Sequence, residues 1–274
     1  MEFKAFKMDS LGNDFVIIDQ RSENFDLTKE QIIKICDRKF IGCDQLIYIK
    51  KNQNTDVSLE FYNSDGSQSG ACGNGTRCVA YFLSKENNKK EISLSTSSGN
   101  LNSKIFENKE VETEIGLPKL KWDQIPLSKN INTKNLNLRL VDKENKEFFG
   151  GIAVNVGNPH VIFFLENIDN FNLEKIGPKI ENHNLFPERC NVTLAKKINN
   201  NLIKVKVWER GAGLTKACGT AACATAVASN LENLSNSKTE IQFDLGKLLI
   251  NIDNNQSIHM KGPVSEIKEI NIKL

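Results

Sequence analysis

The sequence predicts an α+β protein built from two copies of one unit, with many strands and few helices. Short segments of alternating apolar and polar residues dominate the 274 residues. Two Gly-rich loops, one in each half, deliver a Cys-Gly pair to the start of a helix, at Cys72 and at Cys218. Several further segments recur at a nearly constant offset along the chain. These three observations set the expectations that follow.

The first half begins with two strand-like segments on either side of the turn at 11–14. A helix is predicted over 28–40, where Thr28 and Gln31 have the spacing of a capping box. The remaining elements of this half alternate in the strand manner, apart from one helix that follows the first Gly-rich loop. We expect strands over 3–8, 15–19, 45–50, 56–62 and within 91–115, and the helix over 73–85.

The second half opens with an irregular stretch, 116–135, whose prolines and polar run predict a linker. Gly177 and Pro178 are expected to interrupt a helical segment over 173–182. A second helix should follow Cys218. Strands are predicted over 138–140, 148–155, 161–165, 192–196, 202–208, 241–243 and 248–252.

The offset between the halves indicates a duplicated unit. Cys218 minus Cys72 is 146, and Glu209 minus Asn63 is also 146. An offset of 145 aligns the turn at 11–17 with residues 156–162. We therefore predict an N-terminal α/β repeat over 1–118 and a C-terminal repeat over 119–262. Copies of one fold commonly pack about a pseudo-two-fold axis, so we expect the active site in the cleft between the two domains.

Composition narrows the class of protein. The net charge is +2, from 36 basic and 34 acidic residues, which gives no electrostatic case for binding nucleic acid or an anionic membrane. No apolar run approaches the length of a membrane span, and we expect a cytoplasmic protein. The seven cysteines lack the regular spacing of a disulfide framework, which predicts free thiols. The sequence has no pair of C-x-x-C motifs, so we expect no metal site.

A cysteine at a helix N-terminus suits proton transfer, since the helix dipole and free N–H groups favour the thiolate. The same N–H groups can bind a substrate carboxylate, and a glycine after each cysteine allows close approach. One cysteine on each side of a carbon is the arrangement for stereoinversion by two bases. No phosphate, flavin or nicotinamide motif is present, so we expect no cofactor.

The motifs resemble a known family. Cys-Gly-Asn-Gly at 72–75, Glu-Arg-Gly-Ala-Gly at 209–213 and Ala-Cys-Gly-Thr at 217–220 closely resemble the diaminopimelate epimerase family, as do 7–15, 42–46, 157–160 and 186–192. The resemblance implies two domains, each a mixed sheet curled around a central helix. It also implies a homodimer whose C-terminal tail, 263–274, returns to the first domain. The implied activity is cofactor-independent interconversion of LL- and meso-diaminopimelate, which supplies lysine and peptidoglycan precursors.

Site residues are implied position by position. Cys72 and Cys218 match the proton-transfer pair, and His160 and Glu209 match residues that set the two thiol pKa values. The matching substrate-binding positions, on loops and helix ends, are Asn13, Gln45, Asn63, Gly73, Asn74, Asn158, Asn191, Glu209, Arg210, Gly219 and Thr220. A fork donor such as Arg210 with several amides suits an amino acid that carries a second amino-carboxylate end.

The sequence departs from the family pattern at positions that are neither proton-transfer nor amide positions: Asp9, Ser10, Gln68, Leu214 and Ala221. Two alternatives stay open. One is a racemase or epimerase of another amino acid, such as histidine or hydroxyproline. The other is a thiol–disulfide redox protein in which Cys72 and Cys218 form a bond in the working state.

Overall fold

The computed structural model describes residues 1–23, 25–70 and 72–274 and divides the chain into two units. Unit 1 comprises Met1–Glu114 together with Lys261–Leu274, and unit 2 comprises Ile115–Met260. Within the described part of the chain, no helix is both long enough and apolar enough to cross a membrane. The fold is α+β and consists mostly of sheet, as predicted.

The described residues of unit 1 form two α-helices and eight strands before the chain enters unit 2. Its elements are β1 (Glu2–Ser10), β2 (Asn13–Asp19), α1 (Lys29–Cys36), β3 (Gln45–Lys50), β4 (Val57–Asn63), β5 (Gln68–Ser69), α2 (Gly73–Asn87), β6 (Glu91–Thr96), β7 (Gly99–Ile105) and β8 (Glu110–Gly116).

Unit 2 has the same kinds of element in the same order, after a two-stranded sheet of its own. Its elements are β9 (Leu138–Val141), β10 (Glu147–Gly150), β11 (Ile152–Asn155), β12 (Pro159–Phe164), α3 (Leu173–Glu181), β13 (Asn191–Asn199), β14 (Leu202–Glu209), β15 (Gly213–Thr215), α4 (Gly219–Leu231), β16 (Lys238–Phe243) and β17 (Gly246–Ile252). The chain closes with β18 (Ile258–Pro263) and β19 (Lys268–Lys273).

The strand pairings repeat between the units and confirm the prediction of two copies. In unit 1, β1–β2 is antiparallel, β2–β3 parallel, β3–β4 antiparallel, β4–β6 parallel and β6–β7 antiparallel. In unit 2, β11–β12, β12–β13, β13–β14, β14–β16 and β16–β17 follow the same sequence of directions. In each copy a long helix follows the short fifth strand.

The sheet of unit 1 is buried on both faces, which explains its nearly continuous apolar strands. Successive side chains point to opposite faces. Phe15 and Ile17 therefore pack with helix α2, whereas Val16 and Ile18 pack with α1. Burial of such side chains contributes about 1.5–3 kcal/mol each. Helix α2 contacts β1, β2, β6 and β7, so the sheet curls around it.

Helix α4 takes the same place in unit 2 with much smaller side chains. It contacts β11, β12, β13, β16 and β17, and its residues from Ala221 to Ser229 are buried. A run of alanines lets those strands approach the helix backbone closely. The small-residue sequence after Cys218 is therefore a packing requirement of this enclosed helix.

Two local predictions were wrong. Strand β8 ends at Gly116, and residues 117–135 form no further helix or strand apart from a β-bridge between Lys119 and Asn155. This stretch is nevertheless no free linker, because Ile125 and Leu127 are buried in the core of unit 2. Helix α3 runs through Gly177 and Pro178 without interruption. A Cβ at position 177 would lie 2.4 Å from Cγ of Trp208, so this glycine permits close packing against β14.

Helix α1 bears out its predicted start but not its predicted end. The Thr28 side chain accepts from the backbone N–H of Gln31, and the Gln31 side chain accepts from the backbone N–H of Thr28. The helix stops at Cys36, where Gly42 N–H donates to the carbonyl of Ile35 and turns the chain toward β3. This turn brings Asp44 beside the start of β2.

Candidate functional site

The two predicted proton-transfer cysteines occupy equivalent backbone positions in their units. Cys72 is the N-cap of α2, with φ −144° and ψ 110°, and Cys218 is the N-cap of α4, with φ −137° and ψ 115°. An extended residue at the N-cap leaves the first N–H groups of the helix free to bind other acceptors. Gly73, Asn74, Gly219 and Thr220 form the first turns that carry these groups.

In unit 1 the predicted amide residues stand at strand ends on the side where α2 begins. Asn13 opens β2, Gln45 opens β3, and Asn63 closes β4 opposite Gln45. Gln45 Nε2 donates to Asn63 Oδ1 at 2.8 Å, and Asn63 Nδ2 donates to Ser67 Oγ at 3.1 Å. These bonds hold the two amides against each other at the ends of β3 and β4.

Asn13 is brought to Cys72 itself. The Cys72 thiol donates to Asn13 Oδ1 at 3.8 Å, and the backbone N–H of Gly75 donates to Cys72 Sγ at 3.5 Å. Asn74 Nδ2 reaches the same Asn13 oxygen at 3.2 Å. Cys72 is half-buried and packs against the core of unit 1. Unit 1 thus joins a thiol, a helix N-terminus and an amide oxygen.

In unit 2, His160 is fully buried and neutral. Burial, followed by the positive charge of Arg210, lowers the pKa of His160 to about 3. Its Nε2 lies 2.8 Å from Asn158 Oδ1, which makes Nε2 the protonated nitrogen and leaves Nδ1 as an acceptor. Among the described residues, Nδ1 is buried and has no hydrogen-bond partner, so the role of His160 in setting a thiol pKa stays a prediction.

Asn191 and Arg210 are joined by a hydrogen bond. Asn191 Nδ2 donates to the carbonyl of Pro159 at 2.9 Å, and the backbone N–H of Arg210 donates to Asn191 Oδ1 at 3.0 Å. Arg210 Nη1 donates to the carbonyl of Glu188 at 2.8 Å. The guanidinium keeps further N–H groups, since five are available, and these can hold a carboxylate.

Cys218 is more buried than Cys72, with 5% of its surface exposed. Its sulfur lies 3.4 Å from Thr220 Oγ1. Burial and then the negative charge of Glu209 raise the pKa of Cys218 well above its usual range, and these effects outweigh the hydrogen bonds from Thr220 and Ala221 that lower it. Burial and the neighbouring carboxylate thus both favour the protonated thiol at Cys218.

Three residues near the site were not predicted from the sequence. Glu181 is buried in α3 and accepts from Trp208 Nε1 at 2.7 Å and from Gly211 N–H at 2.9 Å, so it braces the turn that carries Glu209 and Arg210. Arg77 lies fully buried in α2, and Asp44 bonds Asn13. A charge inside a small or apolar helix run needs a buried partner, and that signal was available for Arg77.

The chain matches the family model described as diaminopimelate epimerase over residues 5–121 and 152–267. The diaminopimelate epimerase of Pelagibacter ubique (strain HTCC1062) is 69% identical over 274 residues, which is 100% of both chains. That of Acidiphilium cryptum (strain JF-5) is 39% identical over 264 residues, which is 96% of this chain and 94% of the relative.

Solved structures share the fold at low identity. A phenazine biosynthesis protein of the PhzF family from Bacillus anthracis has a TM-score of 0.69 at 16% identity, covering 100% of both chains. A hydroxyproline epimerase from Agrobacterium vitis has a TM-score of 0.66 at 10% identity, covering 99% of this chain and 91% of that chain. At such identities the likeness concerns the fold alone.

Proposed function

Because the chain belongs to the diaminopimelate epimerase family, we propose that it interconverts LL- and meso-diaminopimelate by transferring a proton at one α-carbon. The observation that carries the proposal is the matched pair of N-cap cysteines, which have nearly the same φ and ψ at the starts of two equivalent helices. In this mechanism one thiolate removes the α-proton and the other thiol returns a proton to the opposite face.

The substrate α-carboxylate is proposed to bind the helix starts at Gly73, Asn74, Gly219 and Thr220. Free N–H groups there carry partial positive charge. Negative charge grows on the carboxylate as the carbanion forms, so fixed donors stabilise the transition state more than the bound substrate. Removing one donor from such a site in other enzymes costs about 3–4 kcal/mol.

The proton on Cys218 must leave before this sulfur can act as a base. We propose that Glu209 accepts it, because its carboxylate lies beside the thiol and influences its pKa. Arrival of the substrate α-ammonium adds a positive charge, which favours the thiolate. Cys72, held as a thiol by Asn13, then supplies the proton to the other face. The reverse direction exchanges the two roles.

The far end of diaminopimelate carries a second carboxylate and ammonium group. Arg210 offers a forked donor for the carboxylate, and the amides of Asn13, Gln45, Asn63, Asn158 and Asn191 offer donors and acceptors for both groups. His160, neutral and hydrogen-bonded to Asn158, orients that amide. This set favours a long substrate with two polar ends over proline-like or histidine-like amino acids.

The proposal is tested in deuterated water. Enzyme incubated with LL-diaminopimelate should incorporate α-deuterium, detected by mass spectrometry, without added cofactor. Cys72→Ala and Cys218→Ala should each abolish epimerisation. Cys78→Ala and Cys223→Ala are matched controls further along α2 and α4, and both should stay active. Full turnover by the Cys72→Ala/Cys218→Ala double variant would refute the mechanism.

The open alternatives have distinct outcomes in the same assays. A panel containing histidine and hydroxyproline would expose another epimerase if either were the better substrate. A redox protein would keep its activity after complete oxidation of Cys72 to Cys218, whereas an epimerase would lose it. We also propose a cytoplasmic homodimer, as the family resemblance implies, and light scattering of the purified chain tests the dimer.

A further inference from the structure

We propose that Asp44 and Arg77 are positioning residues that fix the side-chain amides of Asn13 and Asn74 and so hold an acceptor oxygen against the Cys72 thiol. The catalytic meaning of this inference rests on the proposed function. The effect on the ionisation of the Cys72 thiol does not depend on that function, because it can be measured without substrate.

Asp44 fixes the first amide. Its Oδ2 accepts from Asn13 Nδ2 at 2.9 Å and from the backbone N–H of Asp14 at 3.1 Å. Arg38 holds the other oxygen of Asp44 at 2.5 Å. A carboxylate only accepts hydrogen bonds, so the NH₂ of Asn13 must face Asp44. Asn13 Oδ1 is then obliged to point the other way, toward Cys72.

Arg77 fixes the second amide from the opposite end. This fully buried guanidinium donates through Nη2 to Asn74 Oδ1 and to Ser10 Oγ, each at 2.7 Å. A guanidinium only donates, so Asn74 must turn its oxygen toward Arg77 and its NH₂ away. That NH₂ donates to Asn13 Oδ1 at 3.2 Å. Both amide orientations are therefore set by charged side chains.

At the centre, Asn13 Oδ1 receives the Cys72 thiol at 3.8 Å in addition to Asn74. The sulfur also accepts from Gly75 N–H at 3.5 Å. A thiol satisfies both arrangements, since S–H donates and sulfur accepts. A thiolate would face the negative end of a carbonyl dipole that cannot turn away. The chain of amides thus favours the protonated form of Cys72.

Unit 2 shows that the fold does not require this chain. The offsets that align the repeats place Asn158, Cys190, Thr220 and Cys223 where unit 1 has Asn13, Asp44, Asn74 and Arg77. Asn158 Oδ1 is bonded to His160, and Thr220 bonds Cys218 directly. Unit 2 builds the same helix start without either charge. Burying the charge of Arg77 costs free energy, and unit 2 forms the same helix start without such a charge. We therefore link this cost to the orientation of the amides beside Cys72.

The test is the pH dependence of Cys72 alkylation by iodoacetamide in the ligand-free full-length protein, followed by peptide mass spectrometry. Asp44→Asn allows the Asn13 amide to rotate and present its NH₂ to the sulfur. We expect the alkylation midpoint to fall by about 0.5–1 pH unit, the equivalent of one ordinary hydrogen bond. The matched control is Asp14→Asn, which removes a carboxylate of the same Arg38 cluster that does not bond the Asn13 side chain, and its midpoint should stay unchanged.

A double-mutant cycle separates orientation from simple loss of charge. In the Asn13→Ala background, Asp44→Asn should produce no further shift, because no amide remains to be oriented. An equal shift in that background, an unmoved midpoint in Asp44→Asn, or the same shift in Asp14→Asn would each overturn the inference. Thermal unfolding of every variant identifies any that fail to fold. If Asp44→Asn is one of them, the cycle is repeated with Asp44→Ser, which also removes the carboxylate that fixes the Asn13 amide. Asp44→Glu keeps the acceptor and should keep the midpoint. A protein inactive toward diaminopimelate would still report these midpoints.

Discussion

Gly177→Ala tests the packing of helix α3 against Trp208 of strand β14, which leads to Glu209 and Arg210. The added Cβ would lie 2.4 Å from Cγ, 2.5 Å from Cδ2 and 2.9 Å from Cβ of Trp208. These atoms stand close to the Trp208 backbone, so no rotation at the far end of a side chain relieves the clash. The indole is also tied down, because its Nε1 donates to the buried Glu181 at 2.7 Å.

Two opposing effects decide the size of the change. Alanine in place of glycine inside a helix gains about 1 kcal/mol of helix propensity. Overpacking costs about 1–3 kcal/mol, and displacing the indole from a carboxylate costs about 1.5–3 kcal/mol more. We therefore expect the free energy of unfolding to fall by about 1.5–5 kcal/mol, since the clash and the lost bond outweigh propensity.

The assay is urea unfolding followed by tryptophan fluorescence. Both tryptophans, Trp122 and Trp208, lie in unit 2, so the signal reports the unit that contains the mutation. The midpoint should fall by about 1–2 M urea at an ordinary m-value. Gly150→Ala is the matched control, because a Cβ there meets no atom within 4 Å and its effect should stay within about 0.5 kcal/mol. An unchanged or raised midpoint for Gly177→Ala would refute the packing argument.

Two pH-dependent predictions concern unit 2. The pKa of His160 is about 3 in the folded chain and near 6.5 when unfolded, so the unfolded state binds the extra proton as pH falls. The contribution of His160 to stability should be complete above pH 6.5 and should decline below it. In urea midpoints measured from pH 7 to pH 4, His160→Asn should reduce that decline. An equal decline in both proteins would show that His160 does not cause it. For Glu209→Gln, loss of the negative charge beside Cys218 should lower the thiol pKa and move the alkylation midpoint of Cys218 to lower pH. Glu240→Gln, a surface change in the same unit, should leave that midpoint where it was.

The architecture was largely predictable because the two halves of the sequence repeat the same pattern of motifs. The recurrence of Cys-Gly after a Gly-rich loop predicted equivalent helix starts, and φ and ψ at Cys72 and Cys218 agree closely. Alternation of apolar residues predicted the strands, and Thr28 with Gln31 predicted the start of α1.

What escaped prediction depends on contacts between distant segments. Pro178 reads locally as a helix breaker, yet packing of Gly177 against Trp208 keeps α3 continuous. Ile125 lies in a stretch without periodicity, so its burial in the core of unit 2 has no local signal. Likewise, the bond between Asp44 and Asn13 follows from the parallel pairing of β2 with β3, a relation that local sequence does not encode.

The way unit 1 is divided along the chain has a consequence for how the protein is synthesised. Strand β19 pairs with β1 from Glu2–Lys273 to Lys7–Lys268, and Leu274 N–H donates to the carbonyl of Met1 at 2.9 Å. Unit 2 is one continuous segment, so it is complete while unit 1 still lacks its last strand. On the ribosome, one edge of β1 stays without its partner until β19 emerges. The unit that begins first is therefore the one that finishes last.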